Sequence, residues 1–337
     1  MPVMNVRQAI NETLHQEMER DENVIVLGED VSGGAGTPSG EREAIGGIWG
    51  TTGGLLPKFG EKRVIDTPIT ESAIIGAAAG ASLVGKRAVA ELMFADFIGV
   101  CMDQLFNQIA KFRYMFGGKA KCPVVVRLIY GAGMNSAAQH SQALYNMLTA
   151  VPGLKVVTPT NAADAKGLLT TAIRDDDPVM FFEHKALYTK KCEVPEGEYL
   201  VPFGEAQLLR QGDDVSVVAI GRMAYFAEKA VDALAEQGIG CDLIEPRTLS
   251  PLDEDSIIDS VEKTGRLVVV DESPPRCSIA SDLAGIVAGK AFSSLKAPIE
   301  MVTAPHTPIP FARELERAYL PGPDKISAAI SKAAGYR

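Results

Sequence analysis

The chain has 337 residues, 46% apolar and 23% charged, the balance of a soluble globular protein with room for two domains. No apolar run reaches the ~18–20 residues of a membrane span, and the amphipathic start MPVMNVRQAINETLHQEMER lacks the apolar core of a secretory signal, so a cytoplasmic location is expected. A net charge of −10 argues against nucleic acid and anionic membranes, and five scattered cysteines without C-x-x-C spacing read as free thiols rather than a zinc or redox site.

The predicted elements alternate. Residues 6–20 have helical periodicity behind a capping Asn5, and 24–28 (VIVLG) form a buried strand. Residues 32–54 are glycine-rich and aperiodic, a long loop of the kind that serves a function. A short strand at 64–66, a small-residue helix at 72–84 and a strand at 88–94 follow. A long helix is predicted at 97–116, ended by Gly117 and Gly118. Strands at 124–130, 154–158 and 179–183 alternate with a helix after His140 and another at 162–174.

Segment 185–205 carries charges, Pro195, Gly197 and Pro202 without sustained periodicity, and the domain boundary is expected there. The expected domains are 1–190 and 205–337. In the second, strands at 215–220, 241–245, 267–271 and 299–302 alternate with helices near 223–237, 253–263, 278–291 and 323–334. This pattern predicts two doubly wound α/β domains with parallel sheets, whose sites lie at the carboxyl ends of strands. The loops after Asp66, Phe94 and Tyr130 are therefore the ones to read.

Several chemistries lack their motifs. There is no G-x-x-x-x-G-K-[ST] loop, no H-E-x-x-H and no G-x-S-x-G, and the stretch from Gly131 to Ser136 has only a lone G-x-G. Four unclustered histidines (15, 140, 184 and 306) do not suggest a histidine metal site.

Asp66-Thr67-Pro68-Ile69-Thr70-Glu71, between a strand and the helix SAIIGAAAGASLVG, resembles the thiamine-contacting segment of 2-oxo acid and acetoin dehydrogenase beta subunits. ELMFADF at 91–97, AAQHSQ before residue 143, PGLKVVTP at 152–159, DAKGLLTTAIRDDDP at 164–178 and RTLSPLD at 247–253 match the same family in the same order. The resemblance implies a transketolase-like pyrimidine-binding domain followed by a transketolase C-terminal-like domain. It also implies an alpha subunit that holds the diphosphate of thiamine diphosphate through magnesium. The G-D-G…N-N signature of that role does not occur here, so the chain reads as half an active site.

The resemblance gives Glu71 the acid facing the cofactor's pyrimidine nitrogen. On the residues alone, Glu71 is either that acid or a carboxylate decorating a helix start behind Thr70. Ile69, Ala73, Ile74 and Ile75 make its sequence surroundings apolar, and burial that shifts a carboxyl by ~3–5 units outweighs a helix-dipole effect of about 0.3–1 kcal/mol. Phe97 is either a core residue or an aromatic packed on the pyrimidine, and Ile69 is a similar candidate for cofactor contact. His140 is implied as an assistant in proton transfer or in passing the acyl group to lipoamide. The small-residue helix is either a subunit contact or tight internal packing.

Family members often hold potassium with carbonyls at a helix end. Carried over, the ligands would be Val124, Ala172, Ile173, Asp175 and Asp177; Asp177 stands where asparagine is frequent.

The glycine-rich stretch, FNQIAKFRYMFGGK at 106–119, Glu183-His184-Lys185 and RLVVVDESPPRC at 266–277 resemble the acetoin group more than the pyruvate group. The implied reaction cleaves acetoin to acetaldehyde and an acetyl unit carried to a lipoyl acyltransferase core, in an alpha2beta2 heterotetramer. A pyruvate or other 2-oxo acid dehydrogenase beta subunit and a non-catalytic scaffold are the alternatives. The acids Asp253, Glu254, Asp255 and Asp259 are either a docking face for the acyltransferase or a solvated helix face.

Overall fold

The computed structural model describes residues 1–33 and 46–336; the part of the predicted glycine-rich loop at 34–45 lies outside them. The chain divides into two compact units, Met1–Tyr130 with Met147–Phe203, and Gly131–Asn146 with Gly204–Arg337. The segment 131–146, read from sequence as part of the first half, thus packs with the second unit.

In the first unit the strands are β1 (Val3–Asn5), β2 (Val24–Glu29), β3 (Val64–Thr67), β4 (Arg87–Leu92), β5 (Val124–Tyr130), β6 (Lys155–Val157), β7 (Val179–His184) and β8 (Lys191–Glu193). They lie in the order β6-β7-β5-β4-β2-β3, all parallel, while β1 and β8 form a small antiparallel pair. The helix Val6–Arg20 starts at a capping box: Asn5 Oδ1 accepts the Gln8 N–H at 2.9 Å and Gln8 Oε1 accepts the Asn5 N–H at 3.0 Å. Its Ile10 and Leu14 share a core with Leu168 and Ile173 of the helix Ala162–Arg174 and with Val26, Val89, Val125 and Phe181 of the sheet. β5 is buried throughout, which is why it reads as one apolar run.

The order of strands sets the position of the site. From β2 the chain goes to β3 on one side and then to β4 on the other, a topological switch point, and the crevice beyond such strand ends is where α/β sheets take ligands.

The predicted long helix at 97–116 is not one helix. A 3-10 turn (Ala95–Cys101), a π turn (Gln104–Ile109) and a short α-helix (Phe112–Met115) replace it. Ala110 N–H donates to Leu105 O, five residues back. A close neighbour accompanies this change of pitch: a Cβ on Gly153 would lie 2.0 Å from Ala110 O, and Gly153 has φ +103°.

In the second unit the strands are β9 (Gln207–Arg210), β10 (Val215–Ala219), β11 (Cys241–Glu245), β12 (Thr248–Ser250), β13 (Leu267–Asp271) and β14 (Glu300–Thr303). The sheet order is β14-β13-β10-β11-β9. β9, absent from the predicted elements, is antiparallel to β11, so this sheet is mixed rather than all parallel. Helices Met223–Ala235 and Pro323–Ala334 bury Met223, Ala227, Val231, Ile326 and Ile330 against Val217, Leu243 and Val268.

Candidate active site

Glu71 opens the helix Glu71–Leu83 just beyond β3 and is half-buried. Thr70 occupies the N-cap position, but its side chain makes no capping bond. Two contacts fix the surroundings. Ser32 N–H donates to Asp66 Oδ1 at 2.6 Å and the Ser32 hydroxyl also bonds Asp66, joining the end of β2 to β3. Ser72 Oγ donates to Val100 O at 2.6 Å, which ties the helix start to the 3-10 turn carrying Phe97. Glu71, Ile69 and Phe97 are thereby brought to one edge of the sheet. Ile74 and Ile75 are buried as expected, whereas Ala73 is exposed and Ile69 is 72% exposed. The apolar enclosure read from sequence is therefore only partly supplied by this chain. Phe97 is half-buried.

The electrostatics of the edge are acidic. Burial raises the carboxyl of Glu29 at the end of β2, and the charges of Asp30, Glu71 and Glu91 push it the same way. Burial lifts the Cys101 thiol to about 12, with the Glu71 charge adding to the effect.

Beneath this edge lies a network that sequence reading missed. Arg127 on β5 is fully buried; its Nε and Nη2 donate to Glu183 of β7 at 2.6 and 2.8 Å, and its Nη1 to Glu91 of β4. Tyr188 Oη donates to Glu183 at 2.7 Å, and Thr51 of the glycine-rich loop reaches Glu91 at 3.3 Å. Trp49 from that loop packs against Phe94 and Tyr188, with ring centroids 6.1 and 5.4 Å away. A signal was present. Each of three buried strands, AVAEL, VVVRL and VMFFE, holds a lone charge of a sign that can pair with another, and Glu91 and Arg127 are direct cross-strand partners. The network joins three strands and the described end of the glycine-rich loop.

His140 belongs to the second unit and is half-buried. Its segment is held at both ends. At the start, Glu272 Oε1 accepts the Ala132 N–H at 2.6 Å, Glu316 accepts the N–H groups of Gly133 and Asn135 at 2.7 and 3.0 Å, and Arg222 donates to Ala132 O at 2.8 Å. At the end, the Tyr145 hydroxyl donates to buried Asp271 and Asn146 to Cys277 O. Residues 138 and 141–144 form one wall of a cleft of about 320 Å³, with Glu272, His306 and Tyr319 opposite.

The residues of the expected potassium site gather at the end of the helix Ala162–Arg174. The Ile173 and Asp175 carbonyls accept Arg87 Nη1 at 3.2 and 2.9 Å, and Ala172 O accepts the Asp175 N–H. Asp175 pairs with Lys155 at 2.5 Å and Asp177 with Arg113. Val124 opens β5. Among the described residues no group of three or more His, Cys, Asp or Glu is placed to hold a metal ion, and no helix is long and apolar enough to cross a membrane.

A doubly wound parallel sheet with an acid at its switch point, followed by a smaller α/β unit, is a transketolase-type arrangement. A solved structure described as a split gene transketolase, inactive beta4 tetramer, superposes with a TM-score of 0.78 at 22% identity, covering 99% of both chains. Residues 3–191 match the transketolase pyrimidine-binding domain and residues 204–326 the transketolase C-terminal domain. The acetoin:2,6-dichlorophenolindophenol oxidoreductase beta subunits of Cupriavidus necator and Bacillus subtilis are 56% and 53% identical, covering 98% and 99% of this chain and 97% and 98% of theirs. The 2-oxoisovalerate dehydrogenase beta subunit of Bacillus subtilis is 42% identical over the whole of both chains. The chain belongs to the family of acetoin and 2-oxo acid dehydrogenase beta subunits.

Proposed function

We propose that this chain is the beta subunit of a thiamine-diphosphate-dependent dehydrogenase. It cleaves acetoin to acetaldehyde and an acetyl unit that passes to the lipoamide of an acyltransferase core, and it works only with an alpha subunit in an alpha2beta2 assembly. The observation that carries the reading is the half-buried Glu71 at the switch-point edge with Ile69 and Phe97, in a chain 56% and 53% identical to two acetoin oxidoreductase beta subunits.

The residues present fit the cofactor's pyrimidine end. A carboxyl next to an exposed isoleucine and a half-buried aromatic suits a flat ring whose edge carries a nitrogen. Glu71 would hold a proton between its carboxyl and that ring nitrogen, while Phe97 and Ile69 pack on the ring and exclude water. The bound cofactor supplies an acidic thiazolium carbon for attack on the substrate carbonyl. His140 would carry a proton at its imidazole as the substrate bond breaks, its loop held by Glu272, Glu316 and Asp271. Magnesium and the diphosphate fall to the alpha subunit.

Potassium would sit with Val124, Ala172, Ile173, Asp175 and Asp177. Two of these carbonyls already accept from the Arg87 guanidinium, and Asp175 and Asp177 pair with Lys155 and Arg113, so a potassium ion would have to displace these cations. Acids such as Asp253 and Asp259 would meet a basic module of the acyltransferase. Cytoplasmic location goes with this reading.

The test is turnover by the reconstituted alpha–beta pair with thiamine diphosphate, magnesium and an artificial electron acceptor. Reduction of the acceptor with acetoin and little with pyruvate is expected. Preference for pyruvate moves the assignment to a 2-oxo acid dehydrogenase, and absence of turnover with either leaves the chain a scaffold.

A further inference from the structure

We infer that the second unit carries an anion-binding cleft built for a small phosphomonoester, at the start of the segment that carries His140. The cleft has a volume of about 320 Å³, and its walls include Arg222, Arg313, Arg317, Asn135 and Phe226. Three arginines lining one small hollow stand out on a chain whose net charge is −10.

The acid in the wall, Glu316, sets one negative charge against the three arginines. Glu316 is only 2% exposed, and its oxygens accept the Gly133 and Asn135 N–H groups, so its lone pairs point into the backbone. Arg222 is held in place: Nη1 donates to Ala132 O at 2.8 Å, and the guanidinium lies 4.8 Å from the centre of the Phe226 ring. A guanidinium has five N–H donors, so this leaves Arg222 with donors to give. Arg313 makes no salt bridge among the described residues, and Arg317 meets only exposed Glu314 at 3.8 Å, a weak contact in water. Arg222 and Gly322, both in the wall, are the N-cap residues of Met223–Ala235 and Pro323–Ala334, and neither cap uses a side chain. Two helix N-termini add positive potential to the arginines.

Forked guanidinium donors match the oxygens of a phosphate, and a dianion balances several cations where a single carboxylate balances one. The volume is at the lower end of the ~300–1,000 Å³ of small-molecule sites, so the organic part is small. Phe226 offers it an aromatic face.

The experiment is calorimetric titration of the full-length chain with glycerol 3-phosphate, inorganic phosphate and glycerol. One site per chain is expected for both phosphates, tighter for the ester, weaker in high salt, and none for glycerol. Arg313→Ala and Arg317→Ala, both exposed positions that leave the fold intact by circular dichroism, should each weaken binding by roughly tenfold or more. No phosphate binding, or binding unchanged in the double variant, overturns the site. Equal affinity for phosphate and its ester overturns the ester assignment.

Discussion

Replacing Arg127 by methionine should damage the first unit far more than an average core substitution. The guanidinium has no solvent exposure, and the two carboxylates it joins are 1% and 0% exposed. Burial alone pushes Glu91 upward, and the Arg127 charge is the main force against that. Without Arg127, Glu183 keeps only the Tyr188 hydroxyl and Glu91 only Thr51 among the bonds described above. Breaking a buried ion pair by removing one partner costs about 3–5 kcal/mol. For a unit of this size each kcal/mol moves the unfolding midpoint by about 2–4 °C, so a fall of roughly 6–20 °C is expected. Trp49, the only tryptophan in the chain, packs against Phe94 and Tyr188 in the first unit, so its fluorescence during heating reads this transition. The triple variant Glu91→Gln, Arg127→Met, Glu183→Gln should recover much of the loss, because no charge is then left unpaired. A midpoint within about 2 °C of wild type for the single variant would refute the reasoning.

Gly153→Ala should cost about 3 kcal/mol or more, since its new methyl would overlap Ala110 O and its φ is in the left-handed range. Gly117→Ala, also at positive φ but with nothing within 4 Å, is the control and should cost about 1 kcal/mol; midpoints of the two variants check this. Tyr145→Phe takes a hydroxyl donor from fully buried Asp271, which keeps the Ser273 and Ala280 N–H groups, at a cost of about 1–3 kcal/mol, read as a lower midpoint in the second unit. The Lys121 bond holds the Asp176 carboxyl below the usual aspartate range, burial opposes it, and Arg87 helps lower it. A lowered acid contributes stability above its unfolded value near 3.9, and that stability is lost as pH falls through its folded value. Asp176→Asn should therefore be less stable than wild type at neutral pH and match it more closely in strong acid, which acid-titrated unfolding would show.

What was legible in the sequence had local causes. The helix Ala162–Arg174 begins where Asn161 accepts the Asp164 N–H and ends at the acidic turn before Pro178, and Pro323 opens Pro323–Ala334; both are marks written in adjacent residues. The buried strands at 241–245 and 267–271 were equally plain as apolar runs. The losses had distant causes. β1 and β8 are three residues each and exist because they pair with one another across the unit. The break in the helix after Phe94 comes with a backbone contact from Gly153, some forty residues on. Arg127 and Glu183 needed the strand register before their pairing could be seen. At the site, Glu71 was legible by resemblance, while the exposure of Ile69 depends on three-dimensional surroundings that no spacing encodes.

The most direct measurement is the rate at which thiamine diphosphate bound to the alpha–beta pair exchanges its thiazolium carbon proton with deuterated water, followed by quenched NMR. Glu71→Gln is expected still to bind the cofactor but to exchange that proton about 10²–10⁴-fold more slowly than wild type. Equal exchange rates in the two proteins, with the cofactor bound in both, would contradict that expectation.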